Sequence, residues 1–492
     1  MIDCFIPYIN DEVTSQAIKE LKQERCVGEI ILLVPEQVPT PQLGVRTITT
    51  THPENSRTIR LITLMSKSEY ILFCPKPAKI IWGQHGLERL NQIASFTHAS
   101  IIYSNYYVEK AGKREEYPTI DYQIGSVRDD FNFGPIVLIN QKLLHRESSH
   151  NKENYRTAGW YRSRLAITSQ QPAFHINEYL YTLIEDESIA GNGQFDYVDP
   201  RNRETQIEKE RACLSHLKEI NAYLEPEFKN VNFDEESFKN EASVIIPVRN
   251  RARTIADAIQ SVLSQKTNFP FNLIIIDNHS TDGTSDIIDQ YAKKDNRVIH
   301  IIPTRQDLGI GGCWNEGVEH PDCGKFAVQL DSDDVYQTEN TLQTIVDAFY
   351  EQKCAMVIGS YTITDFQMNT IPPGLIDHKE WTPRNGRNNA LRINGLGAPR
   401  AFYTPILRKI HVPNTSYGED YALGLTISHD YQIGRIFDSL YLCRRWEDNS
   451  DASLDIIKQN KNNQYKDNLR TMEILNRIKM NSKKNLSFKP KK

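Results

Sequence analysis

The segment Ser243-Val-Ile-Ile-Pro-Val-Arg-Asn250 indicates the fold class, because a short apolar run ends there in polar residues. The same pattern returns at Leu273-Ile-Ile-Ile-Asp277 and at Phe326-Ala-Val-Gln-Leu-Asp331. An amphipathic segment of helical length follows each run. Continuous rather than alternating apolar strands, separated by helices, indicate a mostly parallel sheet that is covered on both faces. We therefore predict a doubly wound, Rossmann-like α/β domain in this half of the chain.

The first half of the chain shows the same order of segments. Phe5-Ile-Pro-Tyr8 corresponds to Ile245-Ile-Pro-Val248, and residues 161–168 match residues 421–428 in length and pattern. We therefore predict two tandem copies of one α/β fold. The predicted parts are a first domain at 1–195, a helical linker at 196–240, a second domain at 241–455, and a C-terminal helix with a basic tail at 456–492.

Composition excludes several classes of protein. The 492 residues are 39% hydrophobic and 25% charged, and the formal net charge is −5. A duplex-binding protein needs a basic surface to displace counterions, so we expect no nucleic-acid partner. The eight cysteines are scattered singly, without the paired spacing of a structural zinc site, and we expect them to be reduced.

The chain shows no membrane-spanning pattern. Its N-terminus has neither a basic leader nor an apolar run, and no later stretch approaches the roughly 20 apolar residues that cross a bilayer. We therefore expect a cytoplasmic protein. Lysines are the charged residues of the segment 479–492, which we expect to be an unstructured tail. The alternative for this tail is peripheral contact with an anionic inner membrane face.

Carboxylates follow two of the predicted core strands. Asp331-Ser-Asp333-Asp334 places three of them at the carboxyl end of one strand, and Asp277 ends the strand before it. Ligands bind at this edge of open α/β sheets, and crowded carboxylates need a compensating cation or hydrogen bonds. Mg²⁺ or Mn²⁺ held by one or two carboxylates and a substrate diphosphate fits both facts. The alternative is that Asp333 and Asp334 cap the next helix.

In order and spacing, the motifs of the second half resemble those of inverting GT-A glycosyltransferases of family 2. The motifs are Ile246–Asn250, Asp277–Thr284, Gly309–Asn315, Leu330–Asp334, Asn394–Gly397 and Gly418–Asp420, so the resemblance covers roughly residues 242–454. It implies a nucleotide-sugar donor, Mn²⁺ or Mg²⁺, and transfer with inversion to a glycan or lipid-linked saccharide acceptor.

The resemblance also implies roles for single residues. Those of the nucleotide-sugar site would be Pro247, Val248, Asn250, Asp277 and Asp331, with Asp277 at a ring imide and Asp331 at the ribose. Asp333, with Asp331, would hold the cation that bridges the diphosphate. Asp420, next to Glu419, would be the general base, because a sugar hydroxyl needs a carboxylate close by to take its proton.

Four further residues have an open interpretation. Gly311 would let the backbone approach the donor diphosphate, and Gly397 would form the floor of the acceptor side, with plain turn chemistry as the alternative for both. Arg445 would close over the diphosphate, and Trp446 would stack on an acceptor sugar. The alternative for these two is a surface arginine and a tryptophan at the edge of the core. Leu442 stands where processive synthases have glutamine, so we do not expect processive extrusion.

The first copy lacks the acidic residues at the matching places. Val34 falls near the position of Asp277, Cys74-Pro-Lys-Pro77 near the cluster of three carboxylates, and Gly159-Trp160 near the Glu-Asp pair. Lys76 would repel a cation. We therefore expect the first copy to be catalytically silent.

Two other functions remain open at this point. A sugar-1-phosphate nucleotidyltransferase shares the layered fold and the use of a metal, but it needs glycines in the loop after the first strand, where this chain has Arg249, Arg251 and Arg253. A non-catalytic glycan-binding protein has no reason to crowd carboxylates at one sheet edge.

Overall fold

The structure, a computed structural model, describes residues 1–185, 202–382, 384–446 and 454–487, without the side chains of 484–487. It divides into two compact units. Of the described residues, the first unit comprises 1–185, 202–223 and 455–487, and the second comprises 224–382, 384–446 and 454.

The first unit is built around one sheet. Its strands are β1 (Ile2–Pro7), β2 (Val27–Pro35), β3 (Arg46–Thr50), β4 (Tyr70–Phe73), β5 (Lys79–Trp82), β6 (Ile101–Lys110), β7 (Lys113–Tyr117), β8 (Val137–Asn140) and β9 (Phe174–Ile184). Its first helices are α1 (Asp11–Gln23), α2 (Ser56–Met65), α3 (Gly86–Thr97), α4 (Gln141–His150), α5 (Gly159–Gln170) and α6 (Arg203–Glu219).

The second unit is built around a second sheet. Its strands are β10 (Ala242–Val248), β11 (Phe271–Asp277), β12 (Val298–Ile301), β13 (Phe326–Gln329), β14 (Val335–Tyr336), β15 (Met356–Thr364), β16 (Thr370–Ile376), β17 (Arg400–Tyr403) and β18 (Ile433–Arg444). Its helices are α7 (Ile255–Leu263), α8 (Thr284–Lys294), α9 (Ile310–Glu319), α10 (Thr341–Gln352), α11 (Gly386–Asn389), α12 (Thr404–Ile410) and α13 (Glu419–Asp430).

The two sheets have the same strand order. The first runs β3-β2-β1-β4-β8-β6-β9-β5 with β7 beside β6, and the second runs β12-β11-β10-β13-β17-β15-β18-β14 with β16 beside β15. The prediction of two tandem α/β domains is therefore confirmed. In the second sheet β10 to β13 pair in parallel, as do β15 and β18, whereas β17 is antiparallel to both its neighbours.

Burial explains why the strands are continuously apolar. All residues of β11 are buried, and β10 is buried apart from Pro247, because helices cover both faces of the sheet. Helix α7 buries Ile255, Ala258, Ile259 and Val262, which are spaced three or four apart and so share one face.

Strand register brings the candidate site residues to one edge of the second sheet. Val248 lies beside Asp277, and Ile245 lies beside Gln329, so β10, β11 and β13 end together. Pro247 follows the last residue pair between β10 and β13, where its missing N–H removes no ladder bond. In the first sheet Pro7 lies beside Leu33 as Pro247 lies beside Ile276, and Phe5 lies beside Phe73 as Ile245 lies beside Gln329. Val34 and the Cys74–Pro77 segment therefore stand where the second unit has its carboxylates.

The last described helix, α14 (Ile456–Ser487), belongs to the first unit. The carboxylate of Asp467 on this helix is fully buried and accepts hydrogen bonds from Ser126 Oγ (3.0 Å), Arg128 Nε (3.2 Å) and Arg470 Nη1 (2.8 Å). Our expectation of an unstructured tail is wrong for residues 479–487, which are helical. Residues 488–492 lie outside the described residues, as does part of the predicted linker.

Candidate active site

Asp277 ends β11 with a fully buried side chain. Its carboxylate accepts hydrogen bonds from Ser280 N (3.0 Å), from the Ser285 hydroxyl and from His300 Nε2 (3.4 Å). Burial acts to raise the pKa of the Asp277 carboxyl, but the bonds from His300, Ser280 and Ser285 lower it below its usual range. Asp277 is therefore ionised at neutral pH, and it orders the turn that follows its strand.

The loops after β10 and β11 are joined by hydrogen bonds. Asn250, with a φ of +54°, accepts a bond from Thr281 N (2.8 Å) at its side-chain oxygen, and its own N–H donates to Ser280 Oγ (2.9 Å). Asp282 accepts a bond from Ala252 N (3.0 Å). The backbone around Pro247, Val248 and Asn250 is therefore held in one conformation at the sheet edge.

The three carboxylates after β13 have different surroundings. Asp331 is exposed and accepts a bond from Gln329 Nε2 (2.9 Å). The side chain of Asp333 is 15% exposed and lies 3.9 Å from Arg251 Nε. Asp334 is buried and accepts a bond from Arg444 N (2.8 Å). Burial raises the pKa of Asp334 well above its usual range, and the charges of Asp333 and Asp331 raise it further.

The site fits a cation only if the substrate supplies ligands. Within the described residues, no group of three or more His, Cys, Asp or Glu side chains could hold a metal ion. Mg²⁺ or Mn²⁺ bound with a substrate diphosphate needs only one or two carboxylates, since phosphate oxygens and water complete the shell. Asp331 and Asp333 are both accessible to solvent and meet that requirement. Asp334 is buried and already accepts a hydrogen bond from the backbone of β18.

The predicted base lies in the first turn of α13. Arg400 Nη1 donates a hydrogen bond to Asp420 Oδ2. Burial raises the pKa of the neighbouring Glu419 to about 8, and the charge of Asp420 adds to this effect. The Glu419 Oε2 atom is buried and has no hydrogen-bond partner within the described residues. At neutral pH the Glu419 carboxyl group therefore keeps its proton, whereas the Asp420 side chain is held by an arginine.

Gln329 connects the two acidic regions. Its side-chain oxygen accepts a bond from Arg400 N (3.2 Å), and its Nε2 donates to Asp331. A continuous set of contacts therefore runs from Asp331 through Gln329 and Arg400 to Asp420. Neither Gln329 nor Arg400 was given an individual role from the sequence; Arg400 was expected only as part of the segment 394–400 on the acceptor side. A sequence signal was available for Gln329, because it is an amide at the end of an otherwise apolar strand.

Close packing explains why glycines stand at the start of α9. Gly309 N donates to Asn414 Oδ1 (2.7 Å), and Gly311 N donates to Thr415 O (2.9 Å). A Cβ atom at Gly311 would lie 1.9 Å from Pro413 O. The glycines therefore allow close contact with residues 413–415, and the role of Gly311 at the diphosphate stays a prediction.

The three remaining candidates have clear local surroundings. Gly397 has a φ of +83°, and a Cβ atom there would lie 2.5 Å from His378 Nε2. Arg445 N donates to Thr364 O (2.7 Å). Trp446 Nε1 lies 3.4 Å from Asp333 Oδ2, so the tryptophan is adjacent to the acidic edge.

In the first unit, protein atoms fill the place that corresponds to Glu419 and Asp420. Glu208 accepts hydrogen bonds from the backbone N–H groups of residues 156–158, just before α5. A Cβ atom at Gly159 would lie 2.4 Å from Ser56 N, and Trp160 packs against Phe73 with 5.4 Å between the ring centroids. Side chains and backbone thus fill the region where the second unit has Glu419 and Asp420.

The chain matches known proteins. Residues 243–410 match the family model of glycosyl transferase family 2. The chain is 34% identical over 127 residues to TuaG of Bacillus subtilis (strain 168), which is named as a teichuronic acid biosynthesis glycosyltransferase; the match covers 26% of this chain and 49% of TuaG. It is 26% identical over 243 residues to the minor teichoic acid biosynthesis protein GgaB of the same strain, covering 46% of this chain and 25% of GgaB.

The matches are partial. The chain spans about half the length of TuaG and a quarter of the length of GgaB. The crystal structure of S. aureus TarS 1–349 in complex with UDP is 21% identical with a TM-score of 0.37, covering 48% of this chain and 66% of that one. In the part of the chain that the structure describes, no helix combines the length and the apolar character that a membrane crossing requires.

Proposed function

We propose, from the glycosyltransferase family 2 domain that the second unit contains, that the chain transfers a sugar from a nucleotide donor to a saccharide acceptor. The anomeric carbon is inverted, and a divalent cation is required. The observation that supports this proposal best is the set of contacts from Asp331 through Gln329 and Arg400 to Asp420. These contacts join the acidic group assigned to the donor and the acidic group assigned to the acceptor at one sheet edge.

The proposed acceptor is a growing cell-envelope polysaccharide or its lipid-linked precursor. TuaG and GgaB are named for the biosynthesis of teichuronic acid and minor teichoic acid, which supports this class. The donor is a nucleotide sugar whose base lies near Pro247, Val248 and the turn that Asp277 orders. Gly397 and Trp446 are proposed for the acceptor side.

The proposed reaction is one in-line displacement. Asp420 takes the proton of the attacking acceptor hydroxyl, whose oxygen forms a bond to the anomeric carbon. The bond from that carbon to the diphosphate oxygen breaks on the opposite face, and the nucleoside diphosphate leaves with the electron pair. Asp333, with Asp331, would hold a cation that neutralises the charge on the departing diphosphate. Arg400 orients Asp420 through the hydrogen bond to its Oδ2.

The first unit is proposed to be catalytically silent. It has Val34 where Asp277 stands, and an exposed lysine, Lys76, where the second unit has its carboxylates. Protein atoms fill the place of the Glu-Asp pair. We propose that this unit supplies a binding or packing surface.

A transfer assay tests the proposal. The purified chain is incubated with a panel of nucleotide sugars, with and without Mn²⁺, and released nucleoside diphosphate is measured. We expect release only with the cation, loss of release in Asp333→Ala, and unchanged release in the control Lys76→Ala. Release that needs no cation would contradict the assigned chemistry. Formation of a nucleotide sugar from sugar 1-phosphate and a nucleoside triphosphate would indicate a nucleotidyltransferase instead.

A further inference from the structure

Two arginines of the loop after β10 lie over aromatic rings. The guanidinium of Arg253 is 4.4 Å from the ring centroid of Phe366 and 5.2 Å from that of Trp446, and the guanidinium of Arg251 is 6.0 Å from that of Trp446. The two rings are 5.9 Å apart. We call these four side chains the arginine–aromatic cluster.

The arginines of this cluster have more donors than protein partners. Arg251 lies 3.9 Å from Asp333 and donates to Asn250 O (3.1 Å). Arg253 is exposed and makes no hydrogen bond or ion pair with any residue that the structure describes. Arg444 is different, because its Nη1 is paired with Asp257 (2.7 Å). Arg251 therefore lies beside Asp333, and Arg253 lies over Trp446, whose Nε1 is 3.4 Å from the same carboxylate.

Stacking prepares Arg253 to bind an anion. A guanidinium group that lies on an aromatic ring contacts the ring with its flat face. Its five N–H donors lie in the plane of the group and therefore remain available to a ligand. The ring contacts also restrict the side chain before any ligand arrives, which reduces the entropy lost on binding. The planar donor edge suits the two oxygens of a phosphate better than a neutral hydroxyl.

We infer that Arg251 and Arg253 bind a phosphate group next to Asp333. This inference rests on the proposed function, in which a diphosphate approaches the same carboxylate. The phosphate has two chemical sources, the donor diphosphate and a phosphodiester of the acceptor. Both present the same oxygens to the arginines.

Calorimetric titration of the full chain with inorganic pyrophosphate tests the site. We expect Arg253→Gln and Arg251→Gln each to weaken binding about ten-fold or more, because each loses a charge-assisted pair of hydrogen bonds. Arg253→Lys keeps the charge without the planar fork, so we expect it to recover part of the affinity. The control Lys294→Gln removes one exposed charge from α8 and is expected to bind like the wild type.

Two further ligands identify the source of the phosphate. Weaker binding of nucleoside diphosphate in the two glutamine variants assigns the site to the donor, and weaker binding of glycerol phosphate alone assigns it to the acceptor. Pyrophosphate affinity equal in wild type and both variants, or absent from the wild type, would overturn the inference. Arginine-dependent pyrophosphate binding without transfer from any nucleotide sugar would refute the proposed function but would still support the phosphate site.

Discussion

Glu419 makes the stability of the second unit depend on pH. Its pKa is raised from the ordinary value of 4.5 to about 8, first by burial and then by the charge of Asp420. The folded state therefore binds a proton that the unfolded chain releases near pH 4.5. Stability from this group is complete below that pH and is lost as pH rises toward 8.

The size of the effect follows from the pKa. Each pH unit in this window costs about 1.4 kcal/mol, so between pH 6 and pH 9 the Glu419 carboxyl removes about 3 kcal/mol. Glu419→Gln carries no titrating proton and should not show this loss. For a unit of this size, about 3 kcal/mol corresponds to a Tm difference of roughly 6 to 12 °C.

Scanning calorimetry of wild type and Glu419→Gln at pH 6 and pH 9 measures the difference. Other titrating groups are common to both proteins, so they cancel in the comparison. Glu351→Gln, which changes an exposed glutamate on α10, is the matched control and should follow the wild type at both pH values. An equal fall in Tm between pH 6 and pH 9 in wild type and Glu419→Gln would show that Glu419 does not cause the pH dependence.

The contacts of Asp420, Gly311 and Asp467 each predict the effect of a substitution. Asp420→Asn should lower transfer by about two to four orders of magnitude with donor affinity unchanged in calorimetry, and a collapse of donor binding would make it a binding residue. Gly311→Ala places a methyl group against Pro413 O and should cost more than about 2 kcal/mol in denaturant unfolding; an unchanged midpoint would contradict this packing. Asp467→Ala removes the buried carboxylate to which Arg128 Nε and Arg470 Nη1 donate, and should destabilise the first unit by about 3 to 5 kcal/mol; hydrogen exchange as slow as in the wild type over residues 125–128 would contradict this.

The fold was predictable because its signal is local. Apolar runs that end in Asp277 and Asp331 identify core strands of a covered sheet, and their order along the chain suggests the parallel neighbours. The similar order in the first half predicted the second sheet, since Phe5–Tyr8 and Ile245–Val248 carry the same pattern. Periodicity could not predict that β17 enters antiparallel between β13 and β15, because that choice depends on contacts far apart in sequence.

The candidate site was predictable only in part. Carboxylates at strand ends are visible in the sequence, but the contacts of Gln329 with Arg400 join residues 71 positions apart. The packing of α14 within the first unit is still harder to predict from sequence, because Arg128 and Asp467 are 339 positions apart. Gly311 resembles a ligand loop in sequence, yet the carbonyl of Pro413 already explains the need for glycine there.

Counting bound Mn²⁺ by electron paramagnetic resonance, in the presence of nucleoside diphosphate, tests most directly whether Asp331 and Asp333 hold a cation with the substrate. We expect one Mn²⁺ per wild-type chain, loss of this ion in Asp333→Ala, and retention in Asp286→Ala, which removes an exposed carboxylate from α8. Equal Mn²⁺ binding by wild type and Asp333→Ala would show that Asp333 does not hold the cation.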